Sequence, residues 1–308
     1  MPTVADVKPL DEALLDLTLG DFLSHQALTV VPLLGSPRAE PDWLTLAEAG
    51  GKVTITEVSE AGSVPVLGVT NDADQPLLLL DGEELVGAKQ NRILNTTVLV
   101  AAHATLQIPV SCVEQSRWSY RGRHFGASDY SLYASLRAKK AARVSESLKR
   151  GAGHASDQNE IWAGVAARSH RFQVESPTGA MRDVYTRFET DLAAFREALA
   201  PRPGQVGALV FLSGHWVGLD LLPSPALFAR AWSRLCAGYA ADALGARARR
   251  PRTVAAAEIL SRLAVAPVER AKAVGLGEEL RLGGTLTGAA LIAGGVVAHL
   301  MAFPAVSN

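Results

Sequence analysis

Cysteine is nearly absent. Cys112 and Cys236 are the only two thiols of the 308-residue chain, and they stand far apart in sequence. That excludes a disulfide scaffold as the organising principle and points to a reducing compartment. Net charge is equally scarce, since 30 basic and 31 acidic residues leave a formal charge of -1, so global charge favours no polyanionic partner and excludes none. The leading stretch MPTVADVKPLDEALLDLTLGDF carries acids where a signal peptide carries lysines and arginines. No apolar core follows it, so a cytoplasmic location is expected. HExxH, paired CxxC, P-loop and nucleophile-elbow motifs are missing, and Gly151-Ala152-Gly153 lacks the later glycine of a dinucleotide fingerprint. Zinc and a Rossmann-type site are both disfavoured, and no metal ligand set is assigned.

What is present is apolar residue in quantity. At 48% hydrophobic, the chain can bury a large core. From Leu282 onward there is no Asp, Glu, Lys or Arg, long enough for a membrane span by length alone. Gly283, Gly284, Gly288, Gly294 and Gly295, with Thr285 and Thr287, fit a buried β-hairpin turning at Gly294-Gly295 instead. No membrane partner is expected.

Short apolar runs separated by turn signals predict strands at Ala27–Leu34, Lys52–Val58, Val64–Val69, Pro76–Leu80, Ile93–Ala101 and Leu106–Val113, with a short helix over Trp43–Gly50. After Gly126 the texture becomes helical. Helices are predicted over Ser128–Arg150, with Ser128 and Asp129 as cap candidates, then Ser156–Arg168 and Met181–Leu199. Strands return at Gly207–Leu212 and His215–Leu222, followed by helices over Pro225–Ala243 and Val254–Ala264 and the closing hairpin. The expectation is one α+β domain over 1–308. Its sheet is mixed and mostly antiparallel, its β-rich core spans 27–125 and 205–305, and residues 128–200 form a helical layer or insertion.

Polar chemistry concentrates between residues 81 and 125. Glu83 and Glu84 follow Asp81-Gly82 at a strand end, where neighbouring carboxylates suit acid/base work or Mg²⁺ binding. A charged turn is the alternative. Lys89, Gln90, Asn91 and Arg92, with Asn95 soon after, supply the ammonium, guanidinium and amides that hold a phosphate or carboxylate. Alternation places Cys112 and Glu114 on one face. The carboxylate would blunt the thiol, so Glu114 is the better acid/base candidate. Arg117, Trp118, Arg123, His124 and Phe125 interleave cations with rings, a mixture that stacks on a base or sugar while holding phosphate. From Arg117 to Arg150 nine basic residues face two acidic ones, which leaves a basic nucleic-acid surface as a weaker alternative.

The run Gly82 to Arg92, then Asn95-Thr96-Thr97-Val98, then Ile108 to Glu114 and on through Arg117-Trp118, resembles a prokaryotic domain family named for its association with ADP-ribosylglycohydrolases and rhodanese/phosphatase-superfamily proteins. The resemblance implies a cytoplasmic α+β domain linked to ADP-ribose or nucleotide-phosphate metabolism, with proteins of an ADP-ribosylglycohydrolase-linked pathway as partners. It carries no catalytic assignment. Together these readings lead to a pocket at 81–125 that binds and processes a small phosphorylated ligand, as a hydrolase or transferase. Glu83, Glu84, Glu114 and His124 are its catalytic candidates, and Lys89, Gln90, Asn91, Arg92, Asn95, Arg117, Trp118, Arg123 and Phe125 its ligand contacts. A non-catalytic sensor or interaction scaffold is the alternative, and homo-oligomerisation is left open.

Overall fold

The computed structural model describes residues 1–36, 40–252 and 255–306. Its largest sheet runs edge to edge through Thr18–Leu19, Leu28–Leu34, Gln205–Leu212, His215–Leu221, Val296–Pro304, Leu286–Ala293, Glu278–Leu282 and Val268–Lys272, and Leu23–His25 also pairs with Leu28–Leu34. All of these pairings are antiparallel. Both faces are covered, which explains why its strands read as continuous apolar runs rather than alternating ones. On one face Val31, Leu33, Leu209 and Phe211 pack with Val7 and with Leu10, Ile259 and Leu263 of the helices Lys8–Leu15 and Ala255–Ala264. On the other, Val30, Ala208 and Val210 meet Leu227, Phe228 and Trp232 of the helix Pro225–Ala243. The expected hairpin turns at Gly294 (φ 59°) and Gly295 (φ 78°), with Ala293 opposite Val296. Two consecutive left-handed residues are what a two-residue hairpin loop requires. Among the described residues no helix is long and apolar enough to cross a membrane.

A second sheet runs Phe125–Ser131, Glu83–Gly87, Arg92–Leu94, Ala104–Cys112, Val66–Asn71, Val53–Glu57. A bridge between Thr56 and His124 brings its first and last strands together, so the sheet curls into a small barrel filled by Ile55, Leu67, Val69, Leu85, Leu94, Ile108, Val110 and Phe125. Three short strands, Leu44–Thr45, Leu77–Leu79 and Val98–Val100, add Leu77, Leu79 and Val98 to the same core. The Leu44–Thr45 pairing with Leu77–Leu79 is parallel. Sheets of this kind with helices Ala134–Lys149, Gln158–Arg171, Met181–Arg187 and Glu189–Ala198 layered against them make an α+β fold.

Several elements differ from the sequence pattern for local reasons. Trp43–Gly50 opens with a strand, Leu44–Thr45, rather than a helix. Ile93–Ala101 is two strands in different sheets, separated at Asn95-Thr96-Thr97. Ser128 and Asp129 belong to a bulged strand instead of a cap, with a register shift between Ala127 and Ser131, and the helix begins only at Ala134. The helix predicted over Met181–Leu199 breaks at Phe188, whose ring packs 5.0 Å from that of Phe172. The last predicted helix starts at Ala255, and its predicted first residue, Val254, lies outside the described residues. Strands Val268–Lys272 and Glu278–Leu282 lie where none was predicted.

Candidate functional site

Opposite residues in a ladder share a face, and Leu85 stands opposite Arg92, which stands opposite Cys112. Leu85 lies in the barrel core, so Arg92 and Cys112 also face inward, at the mouth of the barrel. Glu57 enters from the far edge strand, two residues beyond Ile55 and therefore on the same face. Between the strands Glu83–Gly87 and Arg92–Leu94 the turn 88–91 carries Ala88 at φ 34°. Gly87 (φ 142°) is held so close to His124 that a Cβ there would sit 2.3 Å from its carbonyl oxygen.

The turn is clamped from below. Arg117 Nη1 donates to the carbonyls of Ala88 (2.6 Å) and Ser119 (2.9 Å), and Nη2 to Glu114 Oε2 (2.7 Å) and Asn91 Oδ1 (3.2 Å). Glu114 also accepts from the Asn91 backbone N–H (3.1 Å) and the Thr178 hydroxyl (2.9 Å). Burial pushes the Glu114 carboxyl up, but the donors from Arg117, Asn91 and Thr178 outweigh it and hold the group below the usual carboxylate range. Gln90 Nε2 donates to the Glu114 carbonyl (3.0 Å), and its Oε1 accepts from Arg92 Nη1 (2.8 Å). Lys89 Nζ donates to the carbonyls of Glu60 (2.6 Å) and Ala61 (2.8 Å) and lies 5.1 Å and 5.0 Å from the ring centres of Trp118 and Tyr120.

Within this frame some buried groups have no hydrogen-bond partner among the described residues. They are Arg92 Nε and Nη2, both carboxylate oxygens of Glu57, Arg117 Nε and Asn91 Nδ2. Arg92 Nη2 and Glu57 Oε1 are 3.8 Å apart, with both side chains almost fully buried, close enough for Coulomb attraction but too far for a hydrogen bond. Burial pulls the Arg92 guanidinium below its ordinary range, against the opposing pull of Cys112 and Glu57. Cys112 is buried, and desolvation pushes its thiol up, as an unreactive cysteine would show. The guanidinium carbon of Arg92 is 5.7 Å from the ring centre of Trp118. Trp118 and Tyr120, 46% and 50% exposed, form the outer surface of the mouth, and Arg121, Arg123 and His124 are exposed on the same segment. Gly62 packs against the edge of Trp118 from the neighbouring turn.

The predicted set therefore divides. Lys89, Gln90, Asn91, Arg92, Glu114, Arg117 and Trp118 come together at the mouth, with Arg123 and His124 on the exposed segment beside it. Phe125 is a barrel-core side chain. Glu83, Glu84 and Asn95 lie elsewhere. Glu83 accepts from the Leu80 N–H (3.1 Å) and faces Arg234 at 3.4 Å. Glu84, opposite Ile93, points away from the barrel core to the helical layer, where Ser128 Oγ donates to it at 2.5 Å. Burial pushes its carboxyl up to about 7, with Ser128 opposing. Of the three carboxylates offered as alternatives for acid/base work or Mg²⁺ binding, only Glu114 lies at the mouth. Among the described residues no group of three His, Cys, Asp or Glu is placed to hold a metal ion. The basic run does not form one face either: Arg117, Arg137 and Lys140 are buried, Arg143 is engaged by Glu146 and Glu160, and Lys149 by Glu269. Glu57 was not singled out from sequence. The signal was a charge on the apolar face of the alternating strand Val53, Ile55, Glu57.

A second buried polar cluster went unpredicted. Lys140 donates to Asp81 and to the Asn95 carbonyl (2.9 Å), and Arg137 forms a forked pair with Asp220 (2.7 Å and 3.1 Å). Asp220 also accepts from Tyr239 (2.7 Å) and pairs with His299 (3.0 Å), whose other nitrogen meets Thr97 at 2.7 Å. Burial would raise the Asp220 carboxyl, yet Arg137 and His299 hold it far below the usual range. Nearby, Glu279 binds His154 (2.9 Å), Arg281 (2.9 Å) and Thr96 (3.1 Å). These groups join the large sheet, the segment 95–97 and the helix Ala134–Lys149. Open surface clefts lie elsewhere, such as one of about 840 Å³ lined by Arg143, Ser147, Arg150, Ser156 and Gln158.

Residues 16–303 match the family model of the ARG and Rhodanese-Phosphatase-superfamily-associated Protein domain, and the chain belongs to that family. No curated protein and no solved structure matches it significantly.

Proposed function

We propose that the barrel mouth binds a small phosphorylated ligand of the ADP-ribose or nucleotide type, with binding rather than turnover as its task. The observation that carries this is the set of unpartnered, buried N–H groups of Arg92 and Arg117 beneath the half-exposed rings of Trp118 and Tyr120. Guanidinium groups with free donors seek phosphate or carboxylate oxygens, and an exposed indole is a surface on which a base stacks. The mouth of a small barrel is a usual place for such a ligand. The family's name couples the domain to ADP-ribosylglycohydrolases and to a phosphatase superfamily, which favours this ligand class over other anions.

Catalysis has weaker support. The Glu114 carboxylate is fully engaged in holding Arg117, Asn91 and Thr178, and Glu84 lies on the far side of its strand. The test is thermal shift and calorimetry of the full chain with ADP-ribose, NAD, nucleotides and inorganic phosphate, against Trp118→Ala. Ligand at about 100 times Kd contributes roughly 2.7 kcal/mol and raises Tm by several degrees. Loss of the indole weakens binding by about 1–3 kcal/mol, roughly 5- to 150-fold. A flat panel, or a shift that Trp118→Ala leaves intact, overturns the assignment.

A further inference from the structure

Glu57 gives the mouth a second requirement, and it is not anionic. Its side chain is 3% exposed, both carboxylate oxygens lack a donor among the described residues, and the nearby cation, Arg92 Nη2, stands 3.8 Å away. A buried carboxylate without hydrogen bonds is expensive. Its neighbour Glu114 shows the ordinary solution, with donors from Arg117, Asn91 and Thr178 on its two oxygens. An ionised carboxylate only accepts, so Glu57 repels a phosphate and calls for two donors side by side. Arg92, whose Nε and Nη2 have no oxygen or nitrogen partner among the described residues, calls for acceptors.

A ligand that meets both needs within one small mouth carries adjacent hydroxyl or N–H donors close to an anionic group. A cationic donor would satisfy Glu57, but it would lie against Arg92, with Lys89 and Arg117 also close around the mouth. Neutral hydroxyls avoid that repulsion. We propose that Glu57 reads the vicinal hydroxyl pair of a ribose while Arg92 holds the phosphate attached to the same sugar. This depends on the mouth being the ligand site, and it narrows the ligand class to ribose phosphates over deoxyribose phosphates and bare anions.

Glu57 is also well placed for coupling to the cover. It ends the strand Val53–Glu57, and the turn after it supplies the Glu60 and Ala61 carbonyls that hold Lys89 and the Gly62 backbone that packs on Trp118.

The test is calorimetric titration of the full chain with ribose 5-phosphate, 2-deoxyribose 5-phosphate and inorganic phosphate, repeated on Glu57→Gln and Trp118→Ala. The expected result is a preference for the ribose over the deoxyribose of about tenfold or more, the weight of one charge-assisted hydrogen bond. In Glu57→Gln that preference collapses, whereas inorganic phosphate binds as well as before or better. Equal affinity of the native chain for both sugars, each weakened by Trp118→Ala, overturns the role of Glu57 and leaves the mouth as the binding site. Binding of none of the three overturns the ribose-phosphate assignment of Glu57 and Arg92, and the panel of ADP-ribose, NAD and nucleotides decides the mouth separately. The sugar comparison on the native chain decides the matter even if Glu57→Gln does not fold.

Discussion

Two buried polar clusters lie within one chain, and their hydrogen-bond accounts differ. Around Asp81, Arg137, Lys140, Asp220 and His299, each charged group has a counter-charge or a donor, and together they bind elements distant in sequence. At the barrel mouth the account is open, because Arg92, Glu57, Arg117 and Asn91 retain polar atoms that are unpartnered among the described residues despite burial. A density of buried charge therefore does not distinguish scaffold from site. The distinction lies in which groups remain unsatisfied, since natural interiors rarely tolerate them without a reason.

Three substitutions can break or sharpen that contrast. The largest effect is expected for Arg137→Met, which leaves Asp220 without its forked partner in a fully buried place. Removing one member of such a network should cost about 3–5 kcal/mol, read as a fall in the denaturation midpoint. A loss below about 1 kcal/mol would mean the closed cluster is not the fastening described. Next is Glu84→Gln. Burial pushes the folded-state pKa up to about 7 from the ordinary 4.5, so the folded chain binds the proton more tightly. The native chain accordingly loses stability as pH rises from about 4.5 to 7, by up to about 3 kcal/mol. Glu84→Gln should remove that slope and gain on the native chain across the same window. Parallel pH profiles for the two proteins would show that Glu84 is not desolvated in this way. The smallest effect on stability is expected for Trp118→Ala, about 1 kcal/mol or less because the ring is half exposed, although the same change should reduce ligand affinity strongly. A large Tm loss with unchanged affinity would place Trp118 in the scaffold.

Much of the strand and helix pattern was legible because apolar runs and breakers are local signals: Pro225–Ala243 coincides with its prediction, and the Gly294-Gly295 turn lies where two glycines demanded it. Barrel closure was not legible. It depends on Thr56 meeting His124 across 68 residues of chain, and nothing local in either segment announces it. For the same reason nothing local shows that Asp220, Arg137 and His299, which lie on a strand, a helix and another strand, will meet. The sequence placed polar residues at 81–97 together, but a strand sends alternate side chains to opposite faces. Glu84 and Arg92 thus part company, whereas Glu57, absent from the stretch, joins the mouth.

The large sheet ends at Val268–Lys272, whose outward ladder groups would accept another strand. Val268 N–H is already taken by the Pro2 carbonyl (2.8 Å), and Glu269, Arg270 and Lys272 charge the rest of that edge. The opposite edge consists of two short strands, Thr18–Leu19 and Leu23–His25, side by side on Leu28–Leu34. Short or charged borders resist strand addition, and the barrel, having closed on itself, presents none at its seam. The borders of the large sheet are thereby poor templates for a strand from another copy.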